Sequence, residues 1–307
     1  MLNTSKSYSL KIAGMGCVKI DRTNSKTEDN TINGDSYTAD ATTEAAKEAL
    51  KEAEIEADDL DMIINISLTY EKMMPEPATI LQKKLHINDT GIPCLTIHSS
   101  DVGFINALDL CSAYFESGRF KTIMIISAEI LSTIINKSDD SSKAVRFTDV
   151  ATATVITNKN PSDSMVYDAI IRSRSFPEDY IALFSMWQFQ KQIPFEDRCI
   201  KIKTDEFEKH STELLSEIKT EYSKKCSLKD VKNVLFPSIF GNSINTIFKD
   251  MKKCSILNAS SEEGYHGSAS IPAALYEGVR SGKIARGDKL LLVSVGSGIE
   301  AGMMKIV

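Results

Sequence analysis

The residues with the clearest chemical potential sit at two expected helix heads. In Leu95-Thr96-Ile97-His98-Ser99-Ser100-Asp101-Val102-Gly103-Phe104 a buried strand, a tight turn and a helix start follow in succession. That frame presents a reactive group at a helix N-terminus, where the dipole stabilises an anion. The side chain in that place is Asp101. As a nucleophile it would form an acyl anhydride, a labile intermediate. A helix N-cap, worth about 1 kcal/mol, is the expected role. His98, three residues earlier, would make a general base with Asp101. A strand-buried histidine bonded to a neighbour is the structural alternative, and the expected one. The second head is Gly264-Tyr265-His266-Gly267, a glycine turn before a helix, which makes His266 the better candidate for a working histidine. Ser99 and Ser100 either donate hydrogen bonds into a pocket or allow close packing.

Short apolar runs alternating with amphipathic stretches must position these heads, and that alternation predicts a layered α/β fold. Strands are expected over 9–15, 61–66, 121–127, 151–157, 231–236, 289–295 and 302–306. Helices are expected over 43–53, with Thr43 as N-cap, and over 77–85, 102–115, 205–222, 243–251 and 268–279. The mixed charges of 201–222 read as a solvated face. Asn106-Ala107-Leu108 leads through Ser117-Gly118 to Thr122-Ile123-Met124-Ile125-Ile126-Ser127. Ala273-Ala274-Leu275 leads through Ser281-Gly282 to Leu290-Leu291-Leu292-Val293-Ser294. The two passages argue for an internal duplication, with halves at 1–160 and 161–307.

The balance of charge, Lys+Arg 36 against Asp+Glu 42 in 307 residues, argues against a nucleic-acid partner. No apolar run is long enough for a bilayer and no signal pattern opens the chain, so a cytoplasmic protein is expected. Six dispersed cysteines form no CxxC pair, and four dispersed histidines show no metal-ligand spacing, so neither a metal site nor a cofactor is expected. Cys94 begins a strand and Cys111 lies well inside a helix, so neither is a displaced nucleophile.

The duplicated pattern, the closing Gly287-Asp288-Lys289-Leu290-Leu291-Leu292-Val293-Ser294-Val295-Gly296-Ser297-Gly298 and the helix entry Ser268-Ala269-Ser270-Ile271-Pro272 resemble the ketoacyl synthase III branch of the thiolase superfamily. The resemblance implies a five-layer αβαβα fold of two pseudo-duplicated halves, usually dimeric. It also implies a cysteine, a histidine and an asparagine that condense thioesters. Asp101 stands at the cysteine position. In Phe236-Pro237-Ser238-Ile239, Ser238 stands at the histidine position; without a base partner it reads as a cap or loop residue. Tyr265 stands at the asparagine position, or His266 after a one-residue slip. Thr148-Asp149-Val150-Ala151-Thr152-Ala153 replaces the family's glycine-rich turn, and no tryptophan lies in the Ile20–Tyr37 region that holds coenzyme A in relatives; Trp187 lies far along. The implied function is a non-condensing or structural subunit of a heteromeric acyltransferase or condensing complex in acyl or polyketide-like metabolism. Degenerate chains in quinolone synthases and phloroglucinol acetyltransferases are examples. It would form a homodimer, or a heterodimer with an active homologue, with acyl carrier protein as a further partner and coenzyme A or carrier thioesters as substrates. The alternative is an active acyltransferase or thioester hydrolase using Asp101 with His266 or Tyr265.

Overall fold

The computed structural model describes residues 7–20, 37–69, 72, 74–87, 91–135, 147–158, 165–176, 180–182, 199–236, 246–251, 254–258 and 264–307. In chain order these form β1 (Ser7–Ser9), β2 (Lys11–Lys19), α1 (Tyr37–Ala53), β3 (Met62–Asn65), α2 (Pro77–Lys84), β4 (Cys94–Thr96), α3 (Gly103–Glu116), β5 (Thr122–Glu129) and β6 (Val150–Thr157). Then come β7 (Met165–Tyr167), β8 (Ile170–Ser173), β9 (Ile181–Ala182), β10 (Lys201–Ile202), α4 (Thr204–Lys225), β11 (Asn233–Phe236), β12 (Ser255–Asn258), α5 (Ser270–Arg280), β13 (Leu290–Gly296) and β14 (Glu300–Ile306).

The hydrophobic faces stack these elements into five layers. Every residue of β5 is buried, as a strand covered on both faces requires. Ile123 and Ile125 pack inward against α3, while Met124 and Ile126 pack outward against α1 and α2. On β13, Leu290 and Leu292 face the same central core, and Leu291 and Val293 face α4. The apolar stripe Phe207, Leu214, Leu215, Ile218 and Tyr222 fixes α4 to the outer face of that second sheet. The helices α3 and α5 therefore lie between two sheets, with α1 and α2 on one outside and α4 on the other. Among the described residues, no helix is long and apolar enough to cross a membrane.

Both sheets have the same topology. In the first, parallel β3 sits between β4 and β5, and β6 and then β2 follow antiparallel. In the second, parallel β11 sits between β12 and β13, followed by antiparallel β14 and β8. The central helices match residue by residue. Each opens with a 3-10 turn, Ser100–Val102 or Gly267–Ala269, preceded by Ser99 at φ −132 or His266 at φ −118. Ser100 and Gly267 hold φ 47 and 56. The flanking Val102 and Ala269 have φ/ψ of −78/−8 and −79/−7. Both helices stop at a left-handed glycine, Gly118 at φ 69 and Gly282 at φ 74. Asp101 and Ser268 are thus pseudo-equivalent, each in the middle of its opening turn.

Two details depart from expectation. Helix α1 starts at Tyr37, so Thr43 is an interior residue rather than an N-cap; its hydroxyl donates to the Ala39 carbonyl at 2.7 Å. The strand expected over 9–15 divides: β1 ends at Ser9 and pairs with β7 in the second sheet, and β2 begins at Lys11 and pairs with β6 in the first. The expected helix over 243–251 falls partly outside the described residues, as do Trp187, Ser238 and most of the Ile20–Tyr37 region.

Alanines 45, 46 and 49 let α1 lie directly on β2. A Cβ on Gly16 would stand 1.9 Å from the Ala45 carbonyl oxygen, and one on Gly14 would stand 2.1 Å from that of Ala49. Neither backbone can retreat, because β2 is paired along its length with β6. Gly16→Ala is expected to cost about 3 kcal/mol, read as a lowered midpoint in chemical denaturation. Across the layers, Tyr276 donates to Glu48 at 2.7 Å, and Arg280 reaches Glu48 and Glu52 at 3.2 and 3.3 Å.

Candidate functional site

The head of α3 is shaped by a close approach. Ser100 sits in the left-handed region, a conformation that costs a non-glycine residue on the order of 1 kcal/mol and persists where packing dictates it. Facing it, a Cβ on Gly296 would come within 3.0 Å of the Ser100 Cβ, so glycine at the end of β13 admits the turn. The turn then aims Asp101 into the centre of the molecule, where it is 4 % exposed.

Asp101 is not a helix cap. No side-chain cap bond is present at either Ser99 or Val102, the residues that flank the turn and the helix. Its carboxylate instead receives the Tyr265 phenol, whose oxygen lies 2.6 Å from each carboxylate oxygen, and the Ser100 hydroxyl at 3.1 Å. Tyr265 comes from the other half of the duplication. Its backbone forms a bridge with Phe147, its carbonyl accepts the Thr148 amide at 3.2 Å, and its ring packs edge-on against Phe147. His266, next along, is buried, and its Nδ1 shares a hydrogen bond with the Thr148 hydroxyl at 2.6 Å. The structure therefore brings Asp101 and Tyr265 into contact and turns His266 toward Thr148.

His98 does not join them. It lies past the end of β4 and is exposed, so the expected strand-buried histidine is corrected. The strand is only three residues long because β4 is an edge, and the chain leaves it at Thr96 to reach the helix head. Cys94 begins β4, and Cys111 is buried inside α3, where burial pushes its thiol well above the ordinary range. Ser238 lies outside the described residues.

A second buried carboxylate escaped the sequence reading. Glu129 ends β5 with no exposure. It accepts the Leu68 amide at 2.9 Å, the Thr69 amide at 3.1 Å, the Thr69 hydroxyl at 2.5 Å and the Ser268 hydroxyl. Ser268 also shares a hydrogen bond with Ser127 at 2.7 Å. So Ser268, the counterpart of Asp101, is held by a carboxylate where Asp101 is held by a phenol. The available signal was an acid closing an isoleucine-rich strand, Ile125-Ile126-Ser127-Ala128-Glu129.

Burial dominates the electrostatics. It raises Asp101 from an ordinary 3.8 to about 7, the bonds from Tyr265 and Ser100 opposing it and the charge on Glu129 reinforcing it. Burial likewise raises Glu129, against the four bonds it accepts. Tyr265 is pushed well above its usual range by burial and by the Asp101 charge. The centre is a buried assembly of two carboxyl groups and a phenol, suited to holding protons. Among the described residues, no group of His, Cys, Asp and Glu could hold a metal ion.

Residues 97–175 match the family described as 3-oxoacyl-[acyl-carrier-protein (ACP)] synthase III, and residues 223–306 match its C-terminal part. The chain is 30% identical to a beta-ketoacyl-[acyl-carrier-protein] synthase III of Aquifex aeolicus over 254 residues, 81% of this chain and 77% of that protein. It is 29% identical over 291 residues to the protein of that name from Clostridium perfringens, covering 92% and 88%. The crystal structure of 3-oxoacyl-[acyl-carrier-protein] synthase III from Aquifex aeolicus superposes with a TM-score of 0.81 at 26% identity, covering 97% of this chain and 99% of that one. Cerulenin-bound OleA of Xanthomonas campestris shares the fold, with a TM-score of 0.77 at 16% identity and 98% coverage of both chains. The duplicated sheets, the paired helix heads and these matches together establish a thiolase-like fold, and the chain belongs to the ketoacyl-ACP synthase III family.

Proposed function

We propose that this chain does not carry out the condensing reaction of its family. It serves as a non-condensing or structural subunit of a heteromeric acyltransferase or condensing complex in acyl or polyketide-like metabolism. The observation that carries this reading is the head of α3. Asp101 stands there, buried, its carboxyl group held by the single hydroxyl of Tyr265, which lies 2.6 Å from each oxygen. A carboxylate so bonded is a poor nucleophile, and its anhydride would not persist as an acyl store. By this reading Asp101, Tyr265 and Ser238 occupy the places of the family's cysteine, asparagine and histidine, and His266 lies beside them. The partner is a second copy or an active homologue, with acyl carrier protein, which the relatives' names carry, as a further contact. The setting is the cytoplasm, and no resident cofactor is needed.

The test is to incubate the purified chain with acyl-coenzyme A and with acyl-carrier thioesters and to weigh it intact. No added acyl mass is expected, and co-expression with an active homologue is expected to yield a stable mixed dimer. An acyl adduct would overturn the reading, and a chain that forms only self-dimers beside such a homologue would remove its heteromeric part and leave the second copy as the partner. A second reading rests on the Asp101 pKa of about 7, which suits a general base. In it Asp101 works with His266 or Tyr265 in acyl transfer or thioester hydrolysis. Any turnover must then be lost in the Asp101→Ala, His266→Ala double variant.

A further inference from the structure

At the far end of β13 from Asp101, the two halves leave a cleft of about 190 Å³. Its walls are Leu10, Ile12 and Met15 from the first half and Leu275, Val279 and Ile306 from the second. Interiors are close-packed, and voids beyond the size of a water are few. An apolar cavity of about 150 Å³ stays dry and takes up benzene, so a cleft of this size and lining can hold a hydrocarbon of roughly six to eight carbons.

Two features shape it. The ladder between β2 and β6 shifts register between Ile12 and Gly14, which makes an irregular bend where Ala13 lines the cleft. At the rim, the Asp288 amide donates to the Ala285 carbonyl at 3.0 Å, and the Asp288 carboxylate accepts the Ala285 amide at 2.8 Å. Gly287 takes φ 85. This closed turn holds Arg286 at the mouth of the cleft.

The rim charges are unequal in their commitments. Asp288 is engaged by Lys232 at 2.7 Å. Glu52 is engaged by Arg280 and by the Met15 amide, at 3.3 and 2.7 Å. Among the described residues, Arg286 makes no ion pair. An apolar slot whose mouth carries a guanidinium that is unpaired among the described residues complements a single anionic head on a short hydrocarbon tail.

We propose that this cleft is a binding site for a short-chain monocarboxylate, its tail between β2 and α5 and its carboxylate on Arg286. The site lies a full strand length from Asp101, so it stands whether or not the α3 head is catalytic. The experiment is calorimetric titration of the intact protein with butyrate, hexanoate, octanoate and octan-1-ol. Binding is expected to tighten from butyrate to octanoate. Octanol, and octanoate with Arg286→Ala, should each bind about tenfold more weakly, the size of one lost charge-assisted contact. Val279→Trp, which fills the slot, should abolish binding, and the exposed Arg286→Ala guards against a folding failure in that variant. No heat at millimolar octanoate, equal affinity for acid and alcohol, or an unchanged Kd in Arg286→Ala would overturn the proposal.

Discussion

Asp101→Asn is expected to make the protein more stable above neutral pH, by about 4 kcal/mol, and to bring no gain near pH 4. In the unfolded chain Asp101 loses its proton near 3.8, and in the folded chain near 7. Between those values the native state holds a proton that the unfolded state has released. Stability therefore falls as pH rises through that window, by about 1.4 kcal/mol per unit, and the full deficit is present above it. Asparagine removes the ionisation while keeping an oxygen for the Tyr265 phenol, so the slope disappears. Denaturant midpoints of both proteins at pH 4, 6 and 8 measure this directly, and taking their difference cancels the titrating groups that do not interact with Asp101. A difference that does not grow from pH 4 to pH 8 would refute the buried, proton-holding carboxyl. The same outcome would weaken the case for Asp101 as a general base, since an ordinary carboxylate pKa lies far from working pH.

Glu129→Ala is expected to be the most damaging single change in the centre, with a loss of roughly 4 kcal/mol. The carboxylate, at the end of β5, receives two backbone amides and two hydroxyls from two other segments: the stretch after β3 and the head of α5. Hydroxyls can turn to other acceptors, but the amides of Leu68 and Thr69 are fixed, and that of Thr69 would be left buried without a partner. The loss should shrink as pH rises above 4.5. Burial raises the folded pKa of Glu129, so the wild-type protein itself gives up stability as that group ionises. Thermal unfolding of Glu129→Ala and Glu129→Gln at two pH values checks both statements. A neutral Glu129→Ala would mean that Ser268 and the Leu68–Thr69 turn are held by other contacts.

Asp101 and Glu129 differ in how far local residue order reveals them. The helix head was legible, because a buried strand, a small-residue turn and a glycine before an apolar helix describe a local geometry. So was the duplication, since the Ser-Gly stops after α3 and α5 are local signals, and both glycines do adopt the left-handed conformation. Thr43 was misplaced because helix starts depend on flanking residues whose packing no periodicity records. His98 was misplaced because strand length at a sheet edge is set by pairing partners.

What the amino-acid order determined alone was periodicity: which faces are apolar, where glycine stops a helix, and that Asp101 rather than a thiol heads α3. Tertiary structure decided who that aspartate meets. Tyr265 lies 164 positions away and Ser268 lies 139 positions from Glu129, and no local pattern encodes a hydrogen bond across such a span. Such pairs arise when two sheets close over one layer of helices, leaving each buried polar group only the neighbours that the packing brings to it.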